Sequence, residues 1–120
     1  MVPVKGPTTL TREEADARLG AEVERQTYHA ERPDFRISEL QISPTQKVPW
    51  HYHNNVRDTF YVLQGQVRIF LRDPKEDIRL AWCETYSVAP GRPHLVTNAG
   101  TESAVFLVLQ AGKYDFVPMT

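Results

Sequence analysis

The sequence lacks the means to form an internal disulfide bond or a membrane-spanning segment. Cys83 is the only cysteine, so the fold must stand without a disulfide. The longest hydrophobic run, residues 104–109, is far too short to cross a bilayer. The opening residues MVPVKGP lack the apolar stretch of a signal peptide. We therefore expect a cytoplasmic protein that does not enter a membrane.

An excess of charge of one sign is also missing. The chain has 14 Lys and Arg against 15 Asp and Glu, and the basic residues are scattered. Proteins that bind nucleic acid or membrane surfaces usually show a basic excess or a basic stripe. The composition therefore predicts no nucleic-acid partner and no membrane partner.

What the chain does have is the composition of one globular domain. Hydrophobic residues make up 41% of its 120 residues and charged residues 24%, and both are spread along the chain. Residues 1–10, with two prolines, are expected to form an arm. Thr11 and Glu14 have the spacing of a helix capping box, and Gly20 predicts the end of a short helix. We expect residues 1–20 to form this arm and helix, and residues 21–120 to form a single domain.

Short β-like segments separated by turn residues fill the rest of the chain. Their aromatic and β-branched residues predict strands, and the regular spacing indicates a sandwich or barrel. The predicted strands cover residues 35–42, 59–63, 66–71, 78–82, 85–88, 94–97 and 103–110.

Three of the four histidines fall in two groups that can act together. His51 and His53 alternate along a predicted strand, so their side chains project from the same face. Asp58 begins the next strand and offers a carboxylate from an adjacent strand, and His94 follows a Pro-Gly-Arg-Pro turn. Three imidazoles and a carboxylate suit one divalent ion such as Fe, Mn, Zn, Ni or Cu. An octahedral ion would keep two open positions, as catalysis requires. Chance placement of structural histidines is the alternative.

Both groups resemble the signature motifs of the cupin superfamily. His51, His53, Asp58 and Gly65 follow the spacing of the first motif, which reads His-x-His, three or four residues, Glu, six residues, Gly. The second half of the second motif, Gly, two residues, His, three residues, Asn, is matched by Gly91, His94 and Asn98. The resemblance covers about residues 41–110. It implies an all-β fold, the cupin double-stranded β-helix or jelly-roll barrel, with a short N-terminal helix before it.

Four positions depart from these motifs. Thr45 and Cys83 replace glycines, and Ala89 replaces a proline. Cys83 is expected to be buried, in a turn that does not need glycine. Asp58 replaces the glutamate and is one methylene shorter. It is expected to bind the metal directly, to bind it through water, or to leave the metal and act as a catalytic base.

The resemblance also implies a substrate pocket inside the barrel. Strand parity places Phe60 and Val62 on the same face as Asp58, and Val96 and Asn98 on the same face as His94. Plain core packing is the alternative for these residues. The resemblance further implies a homodimer formed through sheet edges, with the N-terminal arm as one contact.

Five arginines lie on or near predicted strands: Arg36, Arg57, Arg68, Arg72 and Arg79. One of them could bind a substrate carboxylate inside the barrel, whereas most are expected in solvent. His29 matches no motif position and is expected on the surface.

The leading hypothesis is a metal-dependent enzyme acting on a small organic molecule. Fe or Mn would support dioxygenase-like chemistry, and Zn or Ni would support isomerase-like or lyase-like chemistry. A non-catalytic cupin that binds or senses a small molecule is the alternative, and a purely structural or storage role is a third.

Overall fold

The one helix of the described residues begins where its capping box predicts. The computed structural model describes residues 9–119, and α1 spans Arg12–Gly20. The Thr11 hydroxyl accepts from the Glu14 backbone N–H at 3.2 Å, and the Glu14 carboxylate accepts from the Thr11 N–H at 3.1 Å. Residues 1–8 of the predicted arm lie outside the described residues. Leu10, near the end of the predicted arm, forms an isolated β-bridge with Phe116. Within residues 9–119, no helix is long and apolar enough to cross a bilayer.

In the described part of the chain, ten strands form two antiparallel sheets of five. The first sheet has the order β1-β2-β9-β4-β7, and the second has the order β10-β3-β8-β5-β6. The strands are β1 (Arg25–Arg32), β2 (Phe35–Ile42), β3 (Lys47–Tyr52), β4 (Arg57–Gln64), β5 (Val67–Leu71), β6 (Glu76–Leu80), β7 (Thr85–Val88), β8 (His94–Asn98), β9 (Ala104–Ala111) and β10 (Val117–Pro118). The all-β jelly-roll prediction with a short N-terminal helix is confirmed.

Alternating burial along the strands places the core between the two sheets. In β2 and β4, every second residue is buried, as expected for strands with one face on a core. The core includes Leu40, Ile42, Val62, Val67, Ile69, Leu71, Val88, Val96 and Phe106. Because residues of both sheets meet there, polar side chains on the same inner faces are also held away from water.

The predicted strand ranges omit β1 and β10, include β3 only through its histidines, and extend β6 too far. Strand β1 was not predicted, because its sequence RQTYHAER is polar and its burial does not alternate. Among the described strands it pairs with β2 alone, at the edge of the first sheet, and its residues are mostly exposed. Strand β6 ends at Leu80 rather than at Trp82, because Trp82 enters a tight turn.

Cys83 is exposed, so the prediction that it is buried is wrong. It lies in the turn closed by the Glu84 N–H donating to the Ala81 carbonyl at 3.0 Å. Its φ is 67°, the left-handed conformation that the third position of a type II turn requires. Glycine adopts this conformation without steric cost, so the expectation that this turn does not need glycine was also wrong.

We predict that Cys83→Gly stabilises the protein. Removing Cβ relieves a left-handed conformation, and the greater freedom of glycine in the unfolded chain offsets part of this, leaving about 0.5–1 kcal/mol. Denaturant unfolding of the variant measures the change. Cys83→Ala is the control, because it removes the thiol and keeps Cβ. Equal stability of the two variants would contradict the strain.

Candidate metal centre

Four buried side chains from both sheets converge on one point inside the barrel. His51 on β3 pairs directly with His94 on β8, and His53 follows the end of β3. Asp58 reaches the same point from β4, which belongs to the opposite sheet. The prediction that Asp58 lies on a strand adjacent to the histidines is therefore wrong. It faces them across the core instead.

Backbone carbonyl groups fix the orientation of all three imidazole rings. His51 Nδ1 donates to the Pro49 carbonyl at 2.8 Å, and His94 Nδ1 donates to the Arg92 carbonyl at 2.9 Å. His53 Nδ1 donates to the carbonyl of Asp115. A carbonyl oxygen can only accept, so each ring carries a proton on Nδ1. Nε2 is then the atom that a metal ion would bind, in place of any proton that Nε2 shares with Asp58. Each ring therefore presents a ligand atom to the centre.

Asp58 holds the middle of the group with one carboxylate oxygen. Its Oδ2 lies 3.0 Å from Nε2 of His53, 3.0 Å from Nε2 of His94 and 3.9 Å from Nε2 of His51. One candidate ligand atom from each residue lies within 4.8 Å of the others. Bonds of about 2.0–2.2 Å to one ion place ligand atoms about 3–4.4 Å apart. The four side chains therefore fit one divalent ion with small adjustments.

Burial and mutual charge set the protonation of these groups. Burial and the neighbouring His94 lower the pKa of His51 to about 4, which favours the neutral ring that a metal needs. Burial alone would lower the pKa of His53, but the Asp58 carboxylate outweighs it and raises that pKa. Burial alone would raise the pKa of Asp58, but the surrounding histidines hold it well below its usual range. Asp58 is therefore an anion.

A row of polar side chains crosses the first sheet behind Asp58. In the strand register, Arg36 on β2 is opposite Gln110 on β9, and Gln110 is opposite Asp58 on β4. Arg36 Nε donates to Gln110 Oε1 at 3.1 Å, and Gln110 Nε2 donates to Asp58 Oδ1 at 3.1 Å. Because Arg36 can only donate, it fixes which end of the Gln110 amide faces Asp58. This leaves Oδ2 of Asp58 for the centre.

Asp115 anchors the loop that carries His53. Its carboxylate accepts from the backbone N–H groups of Asn54 at 2.7 Å and Asn55 at 2.9 Å, while its carbonyl holds the His53 ring. The ring of Phe116 stacks on His51 with centroids 4.6 Å apart. Sequence reasoning missed Gln110, Asp115 and Phe116. They carry no motif, and their roles depend on strand register and on the return of the chain end.

Comparison with known proteins agrees with this geometry. A family model described as a cupin domain matches residues 38–110. The chain belongs to the cupin domain family. No curated protein sequence matches this cupin significantly.

Solved structures similar to this cupin share its fold. An uncharacterised conserved protein with a double-stranded β-helix domain from Klebsiella pneumoniae has a TM-score of 0.70 and 20% identity, over 80% of this chain and 84% of that one. The Cnp3 cupin domain of Schizosaccharomyces pombe has a TM-score of 0.65 and 15% identity, over 79% and 71%. Oxalate decarboxylase of Lactobacillus farciminis has a TM-score of 0.66 and 16% identity, over 72% of this chain and 27% of that one.

A small cavity of about 30 Å³ in the cupin barrel is lined by three of the four side chains, His51, His53 and Asp58. Of the predicted pocket residues, Phe60 lines it. Val62 and Val96 pack in the hydrophobic core, in agreement with the alternative considered for them. The Asn98 side chain donates to the carbonyls of Ile42 and Glu102 and accepts from the Gly100 N–H, so it is engaged in holding loops. A larger depression of about 950 Å³ is lined by Trp50, Arg68 and residues 70–77, away from the centre.

We predict that Gln110→Met weakens metal binding by about 10–100-fold, the usual effect of losing a group that orients a ligand. Methionine keeps the length of the side chain and removes both hydrogen bonds, so Asp58 loses its support. Titration with a metal competitor measures the affinity, and circular dichroism checks the fold. Gln64→Met, at an exposed position of β4, is the control. Equal metal affinity in the two variants would show that Gln110 does not orient Asp58.

Proposed function

We propose that this cupin is a metal-dependent enzyme acting on a small organic molecule inside the barrel. His51, His53, His94 and Asp58 would hold one divalent ion of Fe, Mn, Zn or Ni. One observation supports this above the others: three imidazoles, each fixed at Nδ1 by a backbone carbonyl, turn Nε2 toward one buried carboxylate oxygen. Plain core histidines would not need this common orientation.

The ion, the three histidines and Asp58 would have different roles. A bound ion would act as a Lewis acid or redox centre for a substrate oxygen. The three histidines fix its position, and the buried walls exclude bulk water. Asp58 is proposed as a direct ligand through Oδ2, because Oδ1 is already engaged by Gln110. The alternative role for Asp58 is that of a catalytic base that stays unbound.

The substrate would enter the cavity that His51, His53 and Asp58 share with Phe60. Phe60 is the member of the predicted pocket that we retain as a substrate contact. A homodimer and a cytoplasmic location remain predictions made from the sequence and its resemblance.

We predict that the purified protein binds about one divalent ion per chain, and that His51→Ala and His94→Ala lose it. Elemental analysis after removal of free metal gives the ratio. His29→Ala is the matched control, since His29 is an exposed histidine paired with Glu39 outside the cluster. It should keep the ion. Full metal content in the two cluster variants would refute the proposed centre.

The two roles of Asp58 make different predictions. If Asp58 is a ligand, Asp58→Asn lowers metal affinity by at least about 10-fold, because the amide is a neutral and weaker donor. If it is a base, the variant keeps the ion and loses turnover. Incubation of the loaded protein with candidate substrates separates an enzyme from the alternative binding or sensing module. An enzyme consumes its ligand, whereas a binding module only raises its melting temperature.

A further inference from the structure

We propose that Arg36 binds the carboxylate group of the substrate, and that Asp16 of α1 occupies this position in the present structure, which is then the closed state of the barrel. The substrate would then be a small organic acid. This inference rests on the proposed function, because it names the substrate class of the same cavity. It also makes α1 a lid, whose Asp16 carboxylate pairs with Arg36 when no substrate is bound.

Arg36 has the surroundings of an anion-binding group. It is only 4% exposed, and its guanidinium lies between the rings of Tyr28 and Tyr114, 4.7 and 4.6 Å from their centroids. Aromatic rings favour a cation at these distances, and the N–H groups of the guanidinium lie in its plane and remain free to donate. One edge donor, Nε, is used by Gln110. The two remaining nitrogens, Nη1 and Nη2, form a fork that can donate two parallel hydrogen bonds to one carboxylate.

A carboxylate of the chain itself now occupies that fork. Nη1 of Arg36 donates to Asp16 Oδ2 at 3.1 Å, and Nη2 lies 3.0 Å from Asp16 Oδ1. The second contact is poorly aligned, and Asp16 Oδ1 is buried without a hydrogen-bond partner within residues 9–119. Glu31 also approaches Nη1, at 3.6 Å. The pairing is therefore incomplete, and a better-aligned carboxylate can replace it.

The same cavity connects Arg36 with the candidate metal centre. Arg36, His51, His53 and Asp58 all line it. One glutamine side chain separates the guanidinium from the Asp58 carboxylate. A carboxylate on Arg36 would thus place the rest of a short molecule against the centre. The remaining walls are mainly apolar and include Leu40, Phe60, Val108 and Phe116.

Helix α1 must move before such a molecule can bind. The cavity of about 30 Å³ has room for about one water molecule, and Ala15 and Leu19 of α1 are part of its wall. A helix of nine residues is marginal by itself and depends on its contacts. Besides Asp16, it is held by the buried Ala15, by Leu19 against the core, and by an exposed ion pair between Arg12 and Glu31 at 2.9 Å. The exposed pair stabilises little, so opening must break mainly the Asp16 pair and the packing of these two apolar residues.

Opening also makes the charges favourable for an acid. In the closed state Arg36 faces two carboxylates, Asp16 and Glu31, and a third anion would be repelled. When α1 moves away, it takes Asp16 with it and leaves a buried guanidinium without its main partner. An incoming carboxylate restores the pair, and it can do so only by replacing Asp16.

Titration with butyrate, with butyramide as its neutral counterpart, tests the proposal by calorimetry on the full chain. Asp16→Asn removes the charge that pairs with Arg36 within the chain. This variant should therefore bind butyrate at least about 10-fold more tightly than the unchanged protein. The control Glu13→Gln removes an exposed acid of the same helix and should leave the affinity unchanged. Butyramide should not distinguish these proteins. Equal butyrate affinity in Asp16→Asn and Glu13→Gln, or an equal gain for butyramide, would overturn the proposal.

Two further variants test the guanidinium itself in the Asp16→Asn background. Arg36→Met should abolish the gain in butyrate affinity, and Arg36→Lys should lose most of it, because an ammonium keeps the charge without the fork. Arg36→Lys preserves a buried positive charge if Arg36→Met fails to fold. Retention of the gain in Arg36→Lys would show that charge alone, and not the fork, is recognised.

Hydrogen exchange tests the movement of the lid. Butyrate bound to the unchanged protein should speed exchange of the α1 amides and leave the strand amides unchanged. Unchanged α1 exchange at saturating butyrate would overturn the displacement of Asp16.

All titrations are repeated on metal-free protein, in which Arg36 still binds the carboxylate. Butyrate binding without metal binding would refute the proposed metal function alone, and metal binding without butyrate binding would refute the Arg36 site alone.

Discussion

The candidate centre depends on the hydrogen bonds from three imidazole Nδ1 atoms to backbone carbonyls. Two of these carbonyls, those of Pro49 and Arg92, lie two residues before the histidine that they hold. A strand that is correctly paired thus orients its own ligand, and the direct pairing of His51 with His94 brings both ligands together. The ring of His53 lies past the end of its strand and needs a carbonyl from the distant residue Asp115. The centre is therefore complete only when the chain end has returned to the barrel.

Asp58 reaches the histidines from the opposite sheet, and this explains how the short aspartate side chain can lie close to all three rings. Its distance from the rings is set by the separation of two packed sheets, not by the reach of neighbouring residues on one sheet. The row Arg36, Gln110 and Asp58 then fixes the carboxylate from behind, because adjacent strands hold the three residues in register. A buried anion in an otherwise apolar core would be costly without this support. The same hydrogen bonds that orient Asp58 thus also stabilise its charge.

The sequence predicted the features that depend on local spacing. Alternation indicated most of the strands, the capping box indicated α1, and the order of both histidine motifs indicated the cupin barrel. It did not predict Gln110 and Asp115 as neighbours of the centre and could not single out Arg36 from the five strand arginines, since their positions result from strand register and loop closure. Arg36 looked like any other strand arginine, because alternation with its apolar neighbours Phe35 and Ile37 would turn it toward solvent, whereas in the structure Arg36 is buried and Phe35 is exposed. Cys83 misled for a related reason: a turn shows its length in the sequence, but not the sign of φ.

The inner face of the first sheet shows why one barrel can hold both a core and a polar site. Toward one end, β2, β9 and β4 carry Leu40, Phe106 and Val62 inward, and these residues pack against the second sheet. Toward the other end, the same strands carry Arg36, Gln110 and Asp58 inward. The apolar end stabilises the fold through burial, which allows the polar end to keep groups that need partners rather than packing. Helix α1 closes that polar end and supplies one of those partners, Asp16, so closure of the barrel and satisfaction of Arg36 are the same event. Any molecule that opens the barrel must therefore replace both the wall and the charge that the helix provides.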